Sequence, residues 1–174
     1  MNYSKLILAD DRNGTGYRTT LFVSGCDKSP HCKNCFNKQA WDFNCGLPFT
    51  EETKHEILEN LNKQYIKGLS ILGGDPISVV RRDSTNTLID LVESVKYYYP
   101  DKTIFVWTGF TFENIVKDEK VKNFLYFVDM LRDGEYIEEL KDVTQYLEGS
   151  SNQRYINVQE SLKQEKTIDN YFKL

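Results

Sequence analysis

No apolar run in the sequence approaches the roughly 20 residues that a membrane-spanning helix requires. The opening MNYSKLILADDRNG places only a short apolar run before two aspartates, which is not the pattern of a secretory leader. Basic charge is also lacking: the 174 residues carry a formal charge of -4, so neither nucleic acid nor a membrane is expected as a partner. Histidine is scarce, with two in the chain, and no His/Asp/Glu constellation suited to acid–base catalysis is visible. His55 lies among polar residues of an expected helix and reads as solvated. There is no internal repeat, no low-complexity segment, no G-x-G-x-x-G, and no lysine after the glycines as in a P-loop. What these absences leave is a cytoplasmic protein of one domain, long enough for its own core but short for two, in a compartment that keeps thiols reduced.

Cysteine is sparse too, yet three of the four cysteines fall within ten residues, in SGCDKSPHCKNCFN. Cys26, Cys32 and Cys35 are spaced C-x5-C-x2-C directly after the β-branched, apolar run Thr19–Val23. In a reducing compartment such clustering points to metal ligation before disulfides. Thiolates are soft ligands that select zinc or iron–sulfur clusters. A structural zinc site is tetrahedral and closed and would need a fourth ligand, for which His31 and Cys45 are the candidates. A four-iron cluster can be held by three cysteines, with one iron free to bind a small molecule. Spacing alone leaves these two open. Cys45, among Trp41, Phe43, Pro48 and Phe49, reads as incidental, and His31 as a loop residue.

Along the chain, strands alternate with helices. Thr50 can cap a helix with Glu51 and Glu52 in its first turn and Ile57, Leu58, Leu61 and Tyr65 on one face, ended by Gly68. Leu69–Leu72 reads as a strand leading into Gly73-Gly74-Asp75-Pro76. Ser84 is expected to cap a second helix, with Leu88, Leu91, Val92 and Val95 as its apolar stripe and Pro100 as its stop. Thr103–Trp107 is a strand ending at Thr108-Gly109. A helical region from Phe112 to Phe124 leads to a strand at Tyr126–Leu131, closed by Asp133-Gly134-Glu135. Such alternation implies an α/β fold with a mainly parallel sheet, made by right-handed crossovers. Four strands then end in SGC, GGDP, TG and DGE on one sheet edge, the edge where α/β folds bind ligands. GGDP is either a tight turn or a place where backbone carbonyls and the Asp75 carboxylate meet an ammonium group. The segment GSSNQR, from Gly149, is either a loop at that edge or a polar turn.

Together these residues resemble the radical S-adenosylmethionine family and, more narrowly, the activating proteins of anaerobic ribonucleoside-triphosphate reductase, a glycyl-radical enzyme. The likeness runs from about Asn13 to Arg154 through NGTGYR, TLFVSGC, CFN, Trp41, LPFT, GGDP, VWTGF, DGEY and GSSNQR in that order. It implies one radical S-adenosylmethionine domain over residues 1–174. At this length the domain would be a partial, open βα barrel, since a closed eight-stranded one needs about 200 residues or more. By the same resemblance Cys26, Cys32 and Cys35 hold a [4Fe–4S] cluster whose fourth iron takes the amine and carboxylate of S-adenosylmethionine. Gly73, Gly74 and Asp75 would position the methionine end; Asn34 and Cys35 backbone and the Phe36 ring would contact adenine.

The implied reaction passes one electron from the reduced cluster to the sulfonium. The S–C5′ bond breaks, giving methionine and a 5′-deoxyadenosyl radical, which takes a hydrogen atom from a glycine α-carbon of the reductase. A flavodoxin or ferredoxin type donor would supply the electron. The alternatives are a small-molecule radical enzyme, such as a deazapurine-forming one, and a zinc-stabilised interaction module. Two departures from the family pattern stand out. The usual spacing is C-x3-C-x2-C, so this chain has two extra residues between Cys26 and Cys32. Lysine is also common where this chain has Glu135, so any carboxylate contact made from there would pass to Arg132 or another base.

Overall fold

The computed structural model describes residues 1–35, 37–144, 147 and 149–172. In chain order the strands are β1 (Asn2–Asp10), β2 (Tyr17–Val23), β3 (Leu47–Pro48), β4 (Ile66–Gly73), β5 (Thr103–Trp107), β6 (Met130–Asp133), β7 (Lys141–Asp142), β8 (Gly149–Ser150) and β9 (Arg154–Asn157). The helices are α1 (Glu51–Leu61), α2 (Pro76–Arg82), α3 (Thr87–Tyr98), α4 (Phe112–Ile115), α5 (Glu119–Leu125) and α6 (Val158–Gln164). Among the described residues one sheet runs in the order β3-β1-β2-β4-β5-β6-β9, and β7 pairs with β8 apart from it. The fold is therefore mixed α/β. No helix among these residues is long and apolar enough to cross a membrane.

The expected parallel core is present, since β2, β4, β5 and β6 pair in parallel. The expectation of a mainly parallel sheet is corrected at both edges, where β1 runs antiparallel to β2 and to β3, and β9 antiparallel to β6. The first strand went unseen because Asn2–Asp10 is an edge-side strand with few buried positions and no clean alternation.

Register explains what the two faces do. Leu21, Ile71, Val106 and Leu131 stand side by side across the parallel strands. Each is fully buried against a cluster to which all six helices contribute, including Ile57, Ile77, Leu88, Phe112, Val121 and Val158. Burial of one such side chain is worth about 1.5–3 kcal/mol, so this row is a main source of stability. The alternate row, Thr20, Ser70, Phe105 and Met130, faces the other way. There Arg18 is fully buried, donates from Nε to Ser70 Oγ at 2.7 Å and lies over the Phe105 ring at 3.8 Å. Tyr155, Tyr171 and Phe172 pack on that side as well.

Several local expectations are met and others shift. Thr50 caps α1, its Oγ1 accepting from the Thr53 amide. The helix stops at Leu61, however, and Tyr65 is half exposed beyond it. Gly68 is no helix stop; it lies inside β4, where a Cβ would stand 1.9 Å from Thr103 O. A glycine demanded by a neighbouring strand's approach looks in sequence like punctuation. The stripe Leu88, Leu91, Val92, Val95 is buried as expected, but Asp83, not Ser84, organises the start of α3. Its carboxylate accepts from the Thr85 amide at 3.1 Å and the Thr87 amide at 2.9 Å. The expected helix at Phe112–Phe124 is two helices, broken where Asp118 caps α5. The fourth parallel strand begins at Met130, later than Tyr126, because residues 126–128 close off α5 in a turn.

Candidate metal centre

The four parallel strand ends meet. The Gly74 amide donates to Val23 O at 2.8 Å and the Asp75 amide to Gly25 O at 2.8 Å, joining GGDP to SGC. Gly109 N–H donates to Asp75 Oδ2 at 2.8 Å, joining TG to GGDP. Thr108 N–H donates to Arg132 O at 2.9 Å and Gly134 N–H to Phe110 O at 3.0 Å, joining DGE to TG. The cysteine loop is anchored further by the Gly25 amide on Ala40 O at 2.8 Å and the Cys26 amide on Trp41 O at 3.1 Å. Gly74 must be glycine for a packing reason, since a Cβ there would stand 2.4 Å from both Ala40 O and Gly25 O.

Cys26, Cys32 and Cys35 all lie on this loop, each half-buried and unpaired in any disulfide. The backbone at Lys28 favours the ionised form of Cys26, and that at Tyr136 the ionised form of Cys32, each against burial. Burial pushes the Cys26 thiol up to about 11, with the charges of Asp75 and Asp27 adding to it. Burial also raises the Cys32 thiol, with Glu135 adding and Lys28 opposing. A metal that takes these thiols as ligands must displace their protons to solvent, so its uptake depends on pH. Among the described residues no three His, Cys, Asp or Glu side chains converge on a single ion. An iron–sulfur cluster asks for something different, thiolates spread over separate irons. Soft donors and partial burial on one loop fit that group.

His31 stacks on Trp41, ring centroids 4.1 Å apart, and its Nε2 lies 3.1 Å from Cys26 O. It thus braces the enlarged loop, whose Ser29–Pro30 peptide is cis. Cys45 sits in a separate turn, its amide bonded to Asp42 O. Asn34 is exposed with a φ of 61° and forms the turn that closes Cys35 N onto Cys32 O. Phe36, expected at the adenine end, lies outside the described residues.

Asp75 is 2% exposed and its carboxylate is taken up by donors of the protein itself. It caps α2 by accepting from the Ile77 and Ser78 amides, and it also takes the Thr108 hydroxyl and the Gly109 amide. Burial pushes this carboxyl up to about 6 against the pull of those four donors. Asp-Pro before a helix is a cap followed by proline at the first helical position, a pattern present in the sequence and passed over. Arg132 is buried as well: it is 2% exposed, donates to Leu147 O at 2.6 Å and lies over the Tyr155 ring. Beside Glu135 stands Lys28, whose Nζ is 2.9 Å from Glu135 Oε2. Within GSSNQR, Gly149–Ser150 form β8 and Arg154 opens β9, and the turn between them lies against the edge, with Asn152 donating to Glu135 O at 2.8 Å and Gln153 to Gly134 O at 3.0 Å. Ser78, whose hydroxyl donates to Asp27 Oδ1 at 2.6 Å, is a further anchor that the sequence alone gave no reason to name.

Comparison with known proteins adds two findings. The family model for a 4Fe-4S single cluster domain matches residues 12–156. The "anaerobic ribonucleoside-triphosphate reductase-activating protein" of Pasteurella multocida is 39% identical over 155 residues, 88% of this chain and 95% of that one. Proteins of the same name match from Enterobacteria phage T4, at 38% over 154 residues covering 88% and 92%, and from Escherichia coli K12, at 36% over 155 residues covering 88% and 96%.

Proposed function

We propose an activity for a chain that belongs to the family of anaerobic ribonucleoside-triphosphate reductase-activating proteins and carries its 4Fe-4S single cluster domain. The protein is an activase that generates a glycyl radical on anaerobic ribonucleoside-triphosphate reductase, using S-adenosylmethionine at a [4Fe–4S] cluster. The observation that carries this reading is the three-cysteine loop hydrogen-bonded through its backbone to GGDP on the edge where four parallel strands end.

Cys26, Cys32 and Cys35 are the cluster ligands in this reading, one fewer than the irons. When bound, the cluster and S-adenosylmethionine supply one-electron cleavage of the sulfonium, and the radical equivalent ends on a glycine of the reductase. The chain's own work is placement. Backbone at Gly73 and Gly74 borders the methionine end, and Asp75 acts as a positioning residue that fixes this turn against Thr108 and Gly109. Asn34 and Cys35 border the adenine end. No side chain needs to move a proton, in keeping with carboxylates at the edge that serve as caps and ion pairs.

The sheet is best read as a partial βα barrel, open at the β3 and β9 edges, within one domain whose core is about Asn13 to Arg154; the match over residues 12–156 supports that extent. The opening gives a glycine loop of the reductase a way in. The electron comes from a flavodoxin or ferredoxin type donor, and the reaction belongs to the cytoplasm, where thiols remain reduced.

Anaerobic reconstitution followed by iron and sulfide analysis, then electron paramagnetic resonance of the reduced protein with and without S-adenosylmethionine, tests this. The expected result is a four-iron spectrum that changes when S-adenosylmethionine is added, and a protein radical once the reductase is present. One bound zinc without sulfide would overturn the cluster. Deoxyadenosine formed only with an added small molecule would overturn the activase.

A further inference from the structure

The two departures from the family pattern, the enlarged Cys26–Cys32 interval and the carboxylate at Glu135, come together in one contact. Lys28 lies in that interval, and its Nζ stands 2.9 Å from Glu135 Oε2 across 107 positions of sequence. The Lys28 side chain is 14% exposed and that of Glu135 40%. A lysine buried to that extent needs a carboxylate partner, since an unpaired ammonium would forfeit its hydration. Its methylene stem runs over the end of β5, where a Cβ on Gly109 would lie 3.2 Å from Lys28 Cδ. Lys28 therefore leaves the end of β2, crosses the end of β5 and is fastened at the end of β6.

One further contact joins the same region of the chain to the cysteine loop. Lys33 Nζ lies 3.3 Å from Glu139 Oε1, but with side chains 79% and 66% exposed that pair adds little. A longer loop has more conformations to lose on closing, and a cluster requires its thiolates at fixed places.

We propose that Lys28 and Glu135 are positioning residues, an electrostatic clasp that holds the enlarged cysteine loop against Gly134–Tyr136 and so fixes where Cys32 stands. This rests on Cys32 being a cluster ligand. The clasp matters because it replaces the ordering that a shorter loop would have by itself. Its polarity is arbitrary: what the geometry uses is one cation and one anion, whichever segment carries each.

The test compares wild type with Lys28→Glu, Glu135→Lys and the double charge exchange. Hydrogen exchange of the Cys26–Cys35 segment is read in the cluster-free chain, and the half-time of iron loss to a chelator in the anaerobically reconstituted chain. Each single reversal is expected to speed both by about tenfold, equivalent to about 1.4 kcal/mol. The double exchange should return both to within about threefold of wild type, as a coupled pair requires. Single variants that exchange like wild type, or a double variant no slower than the singles, would overturn the clasp. If wild type takes up no cluster, the ligation reading fails, while the exchange measurements still decide whether Lys28 and Glu135 order the loop.

Discussion

Replacing Asp75 by asparagine keeps the side chain's shape and removes its titration, so the pair of proteins isolates one buried carboxyl. In the folded protein burial raises this group from 3.8 to about 6. A raised value means that the folded state binds the proton more tightly than the unfolded chain does. The stability contributed by protonation is then fully present below 3.8 and is lost as pH rises through 6. At pH 7 both states are ionised and the contribution is close to zero. At pH 5 the folded carboxyl is protonated and the unfolded one is not, which favours wild type by about 1.3 kcal/mol relative to pH 7. The assay is urea unfolding of the reduced, cluster-free proteins at pH 7, 6 and 5, followed by the fluorescence of Trp41 and Trp107. The difference in unfolding free energy, wild type minus Asp75→Asn, should move in favour of wild type by about that amount, with about three quarters of the change below pH 6. A flat difference would mean that the four donors on the carboxylate balance its burial, and a shift in the opposite direction, that they outweigh it; either would refute the reasoning.

Serine at Cys26, Cys32 or Cys35 should each abolish four-iron loading, while Cys45→Ser should leave iron and sulfide per chain unchanged. Gly74→Ala forces a methyl to 2.4 Å from Ala40 O and Gly25 O, so thermal or urea unfolding should show a loss of about 1–3 kcal/mol. Arg154→Leu strips the fully buried Asp133 of its guanidinium and should cost about 3 kcal/mol by urea unfolding. The Arg154 hydrogen bonds hold the Glu113 carboxyl down at about 2, so its contribution is present above 4.5 and lost as pH falls through 2. With Glu113 48% exposed, Glu113→Gln should cost less than about 1 kcal/mol at pH 7, and that difference should vanish toward pH 2.

What was legible in the sequence was local. The strand Thr103–Trp107 and the stripe Leu88, Leu91, Val92, Val95 follow from side chains that state their own periodicity. The convergence of SGC, GGDP, TG and DGE was legible because parallel strands put all their C-terminal ends on one side. Illegible features were those decided by a distant partner. GGDP read as either a turn or a ligand contact, because nothing in it announces that Thr108, 33 positions on, will claim the Asp75 carboxylate. Gly68 looked like a stop because its reason for lacking a Cβ is Thr103 O on the next strand. Lys28 and Glu135 each looked like an anomaly, and only their proximity in space gives either a purpose.

The joints between the cysteine loop and its neighbours are mainly amide-to-carbonyl bonds: Gly74 to Val23, Asp75 to Gly25, Gly25 to Ala40, Cys26 to Trp41. Main-chain groups form these joints whatever side chains flank them, so they persist through sequence change wherever a Cβ fits and proline is absent.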